Sequence, residues 1–237
     1  MAEWLFDLGN TRLKWAPLDA AGRVGVVSAI AHDGASFADG AWGALPSRID
    51  MAHVASVASP TIRDALLQAL RARGAVVRLV ATQAGCDGLH IAYADPARLG
   101  VDRFLALLGA GVGTALTLDL LDDAGRHRGG RIAPSPSLMR EALHLRARQL
   151  PVQGGDYCEF ADDTLDALAS GSIGAALGLV ERSLREATAL LGATPGLLLH
   201  GGGAGVLLPH LPRALHVPSL VLDGLARHAR ARRPADT

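Results

Sequence analysis

Two stretches of the chain carry side chains whose types and spacing suit phosphoryl transfer. In Tyr93-Ala94-Asp95-Pro96-Ala97-Arg98-Leu99-Gly100-Val101-Asp102-Arg103, an acid and a guanidinium follow a glycine, just ahead of the apolar run Phe104 to Leu108. An aspartate at a helix start has an everyday use as a cap. It has a chemical use too: it accepts the proton of a substrate hydroxyl as that oxygen attacks the γ-phosphate of a nucleoside triphosphate. Such a transfer asks a protein mainly for positioning and charge neutralisation, plus one carboxylate to orient the nucleophile. Arg103 offers a planar fork of donors for a substrate carboxylate or for the phosphoryl group.

The second stretch is Asp7-Leu8-Gly9-Asn10-Thr11-Arg12-Leu13-Lys14. Glycine lets a phosphate approach the backbone closely, and successive N–H groups there can line an anion nest. Asp7 at a strand end suits Mg²⁺, which favours one or two carboxylates together with phosphates. Lys14 would neutralise phosphate charge. The bland alternative is an Asp-Gly hairpin turn with a solvated lysine. A related turn, Gly113-Thr114-Ala115-Leu116-Thr117-Leu118-Asp119, offers Thr114 to the same phosphates. A glycine run, His200-Gly201-Gly202-Gly203-Ala204-Gly205, follows an apolar strand and gives a weaker signal of the same kind.

These turns need strands and helices to hold them. Strands are expected at residues 4–6, 13–17, 24–29, 54–59 and 76–80, with a helix opening at Pro60 and closing at Gly74 on Ile62, Leu66, Leu67 and Leu70. Downstream, 114–121 reads as a strand, 138–149 as a helix, 165–191 as a long apolar helix, 197–199 as a strand and 220–232 as a closing helix. The plan repeats. Asp7 to Thr11 sets over Gly111 to Ala115, and Asp19-Ala20-Ala21-Gly22-Arg23 over Asp122-Asp123-Ala124-Gly125-Arg126. The expected fold is a duplicated α/β architecture of the actin, hexokinase and acetate kinase kind (ribonuclease H-like). Its domains would span 1–108 and 109–237 and flank a nucleotide cleft.

The bulk numbers agree with an enzyme of this size. Of 237 residues, 49% are hydrophobic, enough for a sizeable core. Lys plus Arg and Asp plus Glu both number 23, and a zero balance argues against a nucleic-acid binder. Cys86 and Cys158 lack metal-ligand spacing and read as free thiols of a reducing compartment. The N-terminus is not a signal peptide, and no apolar stretch is long enough for a membrane span, so a cytoplasmic protein is expected.

The ordered set of motifs resembles the type III pantothenate kinases, also described as the Bvg accessory factor family. The residues that carry it are Asp-x-Gly-Asn-Thr-x-x-Lys at 7–14, Tyr-x-x-Pro with Gly-x-Asp-Arg at 93–103, and Gly-Thr-Ala-x-Thr-x-Asp with Gly-Gly-x-Ile-x-Pro at 113–134. The resemblance runs from residue 4 to about residue 225. It implies ATP-dependent phosphorylation of pantothenate to 4'-phosphopantothenate, the first step of coenzyme A biosynthesis, with Asp102 as general base. It implies nucleotide contacts from Asp7, Leu8, Gly9, Asn10, Thr11, Arg12, Leu13, Lys14 and Thr114. It implies pantothenate contacts from Tyr93, Gly100, Val101, Asp102, Arg103 and Thr164. It implies a homodimer, a divalent cation such as Mg²⁺ held by Asp7, and a monovalent cation, K⁺ or NH₄⁺.

The chain departs from that pattern twice. The family's monovalent-cation aspartate is replaced by Gly111, which puts that site in doubt. The family also places a connection and a strand between the Asp-Arg helix and Gly-Thr-Ala, where this chain has only Gly109 to Val112. These departures favour an alternative, a non-catalytic relative that acts as an accessory or regulatory interaction protein. The retention of Asp7, Lys14, Asp102 and Arg103 opposes it.

Overall fold

A computed structural model describes residues 1–109 and 116–232. The first strands are β1 (Glu3–Leu8), β2 (Arg12–Leu18), β3 (Ser28–Ala31) and β4 (Met51–Ser56), followed by helix α1 (Pro60–Arg71) and β5 (Val76–Leu79). They form one five-stranded sheet in the order β3-β2-β1-β4-β5. β1 pairs antiparallel with β2 and parallel with β4, so its backbone is bonded on both edges.

Residues alternate between the two faces of this sheet. Phe6, Leu8, Leu13, Trp15 and Val54 pack against Ile62, Leu66 and Leu70 of α1. Ser59 starts that helix by accepting from Ile62 N, with Pro60 at its first position. Leu5, Ala16 and Ala55 point to the opposite face. There they pack with Phe104, Leu105 and Leu108 of α2 (Val101–Gly109). Two short strands, β6 (Gly85–Cys86) and β7 (Leu89–His90), make a hairpin ahead of α2, turning at Asp87 and Gly88 with φ of 46° and 83°.

The remaining elements are β8 (Leu116–Leu121), β9 (His127–Ala133), α3 (Pro136–Arg146), α4 (Thr164–Leu191), β10 (Leu197–Leu199), α5 (Ala204–Leu207), β11 (Ala214–His216) and α6 (Leu220–Ala231). Among the described residues, β8 pairs with β9 and β10 with β11, as two separate two-stranded sheets. Leu116 and Leu118 from the first and Leu197 and Leu199 from the second share a core with Ala176, Leu177 and Val180 of α4.

The chain divides into two compact units. One gathers Met1–Gly111, Leu121–Gly129 and Ser219–Thr237; the other holds Val112–Leu120 and Gly130–Pro218. The last helix therefore belongs with the first strands. It lies on α2 at glycine contacts: a Cβ on Gly224 would sit 1.9 Å from Leu105 O, and one on Gly109 would sit 2.3 Å from Leu220 O. Only glycine permits that approach, and a methyl group there would force the helices apart.

Several expectations are corrected. The strand expected at 24–29 forms at 28–31, because Val24 makes only an isolated bridge to Leu18. The helix read from Phe104 begins at Val101, so Asp102 lies within its first turn rather than capping it. Four strands are additional to those expected: β6 and β7 of the 85–90 hairpin, and β9 and β11 in the second half of the chain.

Candidate active site

Asp7 and Lys14 are cross-strand partners in β1 and β2. Asp7 lies two residues after Leu5, and Lys14 two before Ala16, so both point to the α2 face of the sheet. The first turn of α2 carries Asp102 on that side. Burial pushes the Asp7 carboxyl up to about 6; Lys14 opposes the shift and the nearby Asp102 adds to it. One cation and two carboxylates thus meet at the end of the sheet's middle strand.

The backbone around Asp102 orients its carboxylate. Phe104 N donates to Gly100 O at 3.0 Å to begin the helix, and Asp102 Oδ1 accepts from Arg103 N at 2.8 Å. A Cβ on Gly100 would fall 2.6 Å from Asp102 Oδ1, so glycine makes room for the folded-back carboxylate.

Arg103 is buried. Its Nη1 donates to Tyr93 Oη at 3.4 Å, and its Cζ lies 6.0 Å from the Tyr93 ring centre. His127 of β9 also stacks on that ring, centres 5.9 Å apart and 9° between planes. The expected substrate residues Tyr93, Gly100, Asp102 and Arg103 are therefore gathered in one unit. Val101 is buried, so any ligand contact from it is made by backbone. Thr164 belongs to the other unit. It is exposed at the start of α4, beside a shallow cavity of about 380 Å³ lined also by Asp162, Asp163 and Leu168. Asp163 caps that helix by accepting from Leu165 N and Asp166 N at 2.7 and 3.0 Å.

The turn after β1 is closed by Gly9 N donating to Arg12 O at 3.0 Å, so that N–H serves the turn itself. Asn10, Thr11 and Arg12 are exposed, whereas Leu8 and Leu13 are fully buried and can offer a ligand only backbone. A Cβ on Gly9 would make an ordinary 3.5 Å contact with Arg12 O. Folding alone does not demand glycine here; a ligand lying against the backbone would. Thr114 and Gly111 lie outside the described residues.

No group of three or more His, Cys, Asp or Glu suited to a metal ion occurs among the described residues. A divalent cation at Asp7 would take most of its ligands from phosphates and water, the arrangement Mg²⁺ prefers. Sequence reasoning missed His127. Its signal was faint: one histidine among nine, in a strand that glycines and arginines disguise.

The sequence matches the description of type III pantothenate kinases over residues 4–186. The chain belongs to the type III pantothenate kinase family. Relatives named type III pantothenate kinase, from Stenotrophomonas maltophilia (strain R551-3) and Xanthomonas campestris pv. campestris (strain B100), are each 57% identical to it, over 97% of this chain and 98% of theirs. The first alignment runs over 239 positions yet covers 97% of 237 residues, so it opens gaps in this chain. A Campylobacter jejuni protein assigned to the Baf family of transcriptional activators has a similar structure, with a TM-score of 0.61 at 18% identity, covering 96% of this chain and 97% of that one. A Sinorhizobium meliloti protein assigned as a 2-dehydro-3-deoxygalactonokinase gives 0.53 at 17%, covering 99% and 98%. At those identities the likeness concerns the fold, which is the expected actin and hexokinase-like one.

Proposed function

We propose that this chain transfers the γ-phosphoryl group of ATP to the 4'-hydroxyl of pantothenate, the first step of coenzyme A biosynthesis. The observation that carries the reading is the meeting of Asp7, Lys14 and Asp102 on one face of the first sheet in a member of this family. Asp102 accepts the hydroxyl proton as the oxygen attacks the γ-phosphorus, and the bond to the β–γ bridging oxygen breaks to release ADP. Lys14 and the exposed turn at Asn10 and Thr11 hold the phosphates. Arg103 and Tyr93 hold pantothenate, the guanidinium taking its carboxylate and the ring fixing the guanidinium. A divalent cation, when bound, neutralises the charge that develops on the phosphates, and Asp7 is the residue that holds it.

Finer features belong to the same proposal. Thr114 and Thr164 contact nucleotide and pantothenate respectively. Activity depends little on K⁺ or NH₄⁺, because glycine stands at position 111. The chain works as a homodimer. The support for that is α3, which buries none of its side chains and exposes Leu138, Leu143 and Leu145, together with Phe160, which is 98% exposed. Among the described residues no helix is long and apolar enough to cross a membrane. Two free thiols suit a reducing cytoplasm.

The test is ADP release by the purified protein with Mg-ATP, with and without pantothenate. Pantothenate-dependent ADP, with phosphopantothenate identified by mass, is expected. Well-folded protein that releases none would overturn the reading and favour a non-catalytic relative.

A further inference from the structure

We propose that His32 is a positioning residue for the nucleotide, holding the Gly9–Arg12 turn in one conformation through one ring tautomer. The inference rests on reading that turn as the phosphate-binding one. His32 follows β3, and its backbone N donates to Thr11 O at 3.0 Å. Its Nε2 lies 3.0 Å from Gly9 O, and its Nδ1 accepts from Gly34 N at 3.1 Å. A carbonyl only accepts and a backbone N–H only donates. Both ring bonds therefore coexist only in the neutral ring with hydrogen on Nε2.

The ring is nearly buried and packs against Phe37, centres 5.1 Å apart and tilted by 52°. Ser59, the cap of α1, donates through Oγ to Gly34 O at 3.3 Å, which carries the tie on to that helix. The consequence for a ligand follows from the planar trans peptide, in which the carbonyl of one residue and the N–H of the next point in opposite directions. Fixing Gly9 O on His32 aims Asn10 N–H away from the ring, at the exposed tip of the turn. A phosphate oxygen arriving there meets a donor already oriented for it. The histidine itself touches no substrate; it acts through the turn.

The test compares His32→Phe, which keeps a packed ring without the bonds, with His32→Gln, whose amide can still donate to Gly9 O. Lys14→Ala serves as the reference for nucleotide binding. His32→Phe should raise KM for ATP about tenfold, the scale of one lost hydrogen bond to a part-buried carbonyl, with KM for pantothenate unchanged within about twofold. His32→Gln should recover ATP binding to within about threefold of the parent. Should the phenylalanine variant fail to fold, His32→Asn, whose amide is too short to reach Gly9 O, takes its place. An unchanged KM for ATP, or equal rises in both KM values that glutamine does not rescue, would overturn the proposal. An unchanged KM for ATP in Lys14→Ala would instead remove the nucleotide reading of the turn, and this inference with it.

Discussion

The strands of the first and second halves of the chain pair differently. In the first, β1 lies in the middle with β2 on one edge and β4 on the other, and the order is β3-β2-β1-β4-β5. In the second, among the described residues, β8 pairs with β9 and β10 pairs parallel with β11, as two separate two-stranded sheets. The local chemistry of the repeat nevertheless survives. Asp19 and Asp122 each accept from the N–H and the Nε of an arginine four residues on, and Gly22 and Gly125 turn with φ of 76° and 74°. A turn keeps its form because its bonds are internal, whereas a sheet depends on a neighbour. Asp7, Lys14 and Asp102 all lie in the unit that holds the five-stranded sheet.

The sharpest way to break this comparison is Asp102→Asn. If the chemistry belongs to the five-stranded sheet, turnover should fall by a factor of about 100 or more with ATP affinity unchanged. Surviving turnover would mean that the base lies elsewhere. Next in size is native-state amide exchange. Amides of β1 and β4, bonded within a five-stranded sheet, should be protected about tenfold or more over those of β8 and β10. Equal protection would show that the second half has found other partners for its strands.

Asp7→Asn probes the site's internal strain. A carboxyl raised from 3.8 to about 6 binds its proton more tightly in the folded protein. Its contribution to stability is therefore intact below about pH 4 and lost as pH rises through 6. Without ligands, the asparagine variant should be more stable than the parent by about 1–3 kcal/mol at pH 8, and little different at pH 4. Urea unfolding at the two pH values decides it, and an equal effect at both would rule out buried charge as the cause. The smallest effect concerns the paired turns. Hydrogen bonds from Arg126, joined by Arg128, hold the Asp122 carboxyl at about 2, and its side chain is 6% exposed against 42% for Asp19. Asp122→Ala should lower the melting temperature at pH 7 more than Asp19→Ala. The stability Asp122 contributes is present above about pH 4 and lost as pH falls through 2, so the difference should vanish near pH 2.

Much of this was legible in the chain. Trp4 to Phe6, the α1 stripe of Ile62, Leu66 and Leu70, and the runs at 165–191 and 197–199 announce their elements, because burial on one face imposes a period. β9 was not legible. His127-Arg128-Gly129-Gly130-Arg131 has no strand period, and its Gly129 takes a φ of 106°. Pairing with β8 across the Asp122 turn forms it. Residue type and spacing make Asp7, Lys14, Asp102 and Arg103 candidates, the resemblance adds their roles, and the fold gathers all four in one unit. The ties of His32 to Gly9 and of His127 to Tyr93 join residues 23 and 34 positions apart, and no spacing rule reaches them.

The return of α6 to α2 has a consequence for how the protein is made. Translation runs from the N-terminus, and α2, with Asp102 in its first turn, leaves the ribosome more than a hundred residues before the helix that covers it. Throughout that interval Leu105 and Leu108 lack their partners Leu222 and Leu225. The catalytic half is therefore finished last although it is synthesised first. A messenger cut short before residue 220 would yield every proposed catalytic side chain and an oily helix in place of an enzyme.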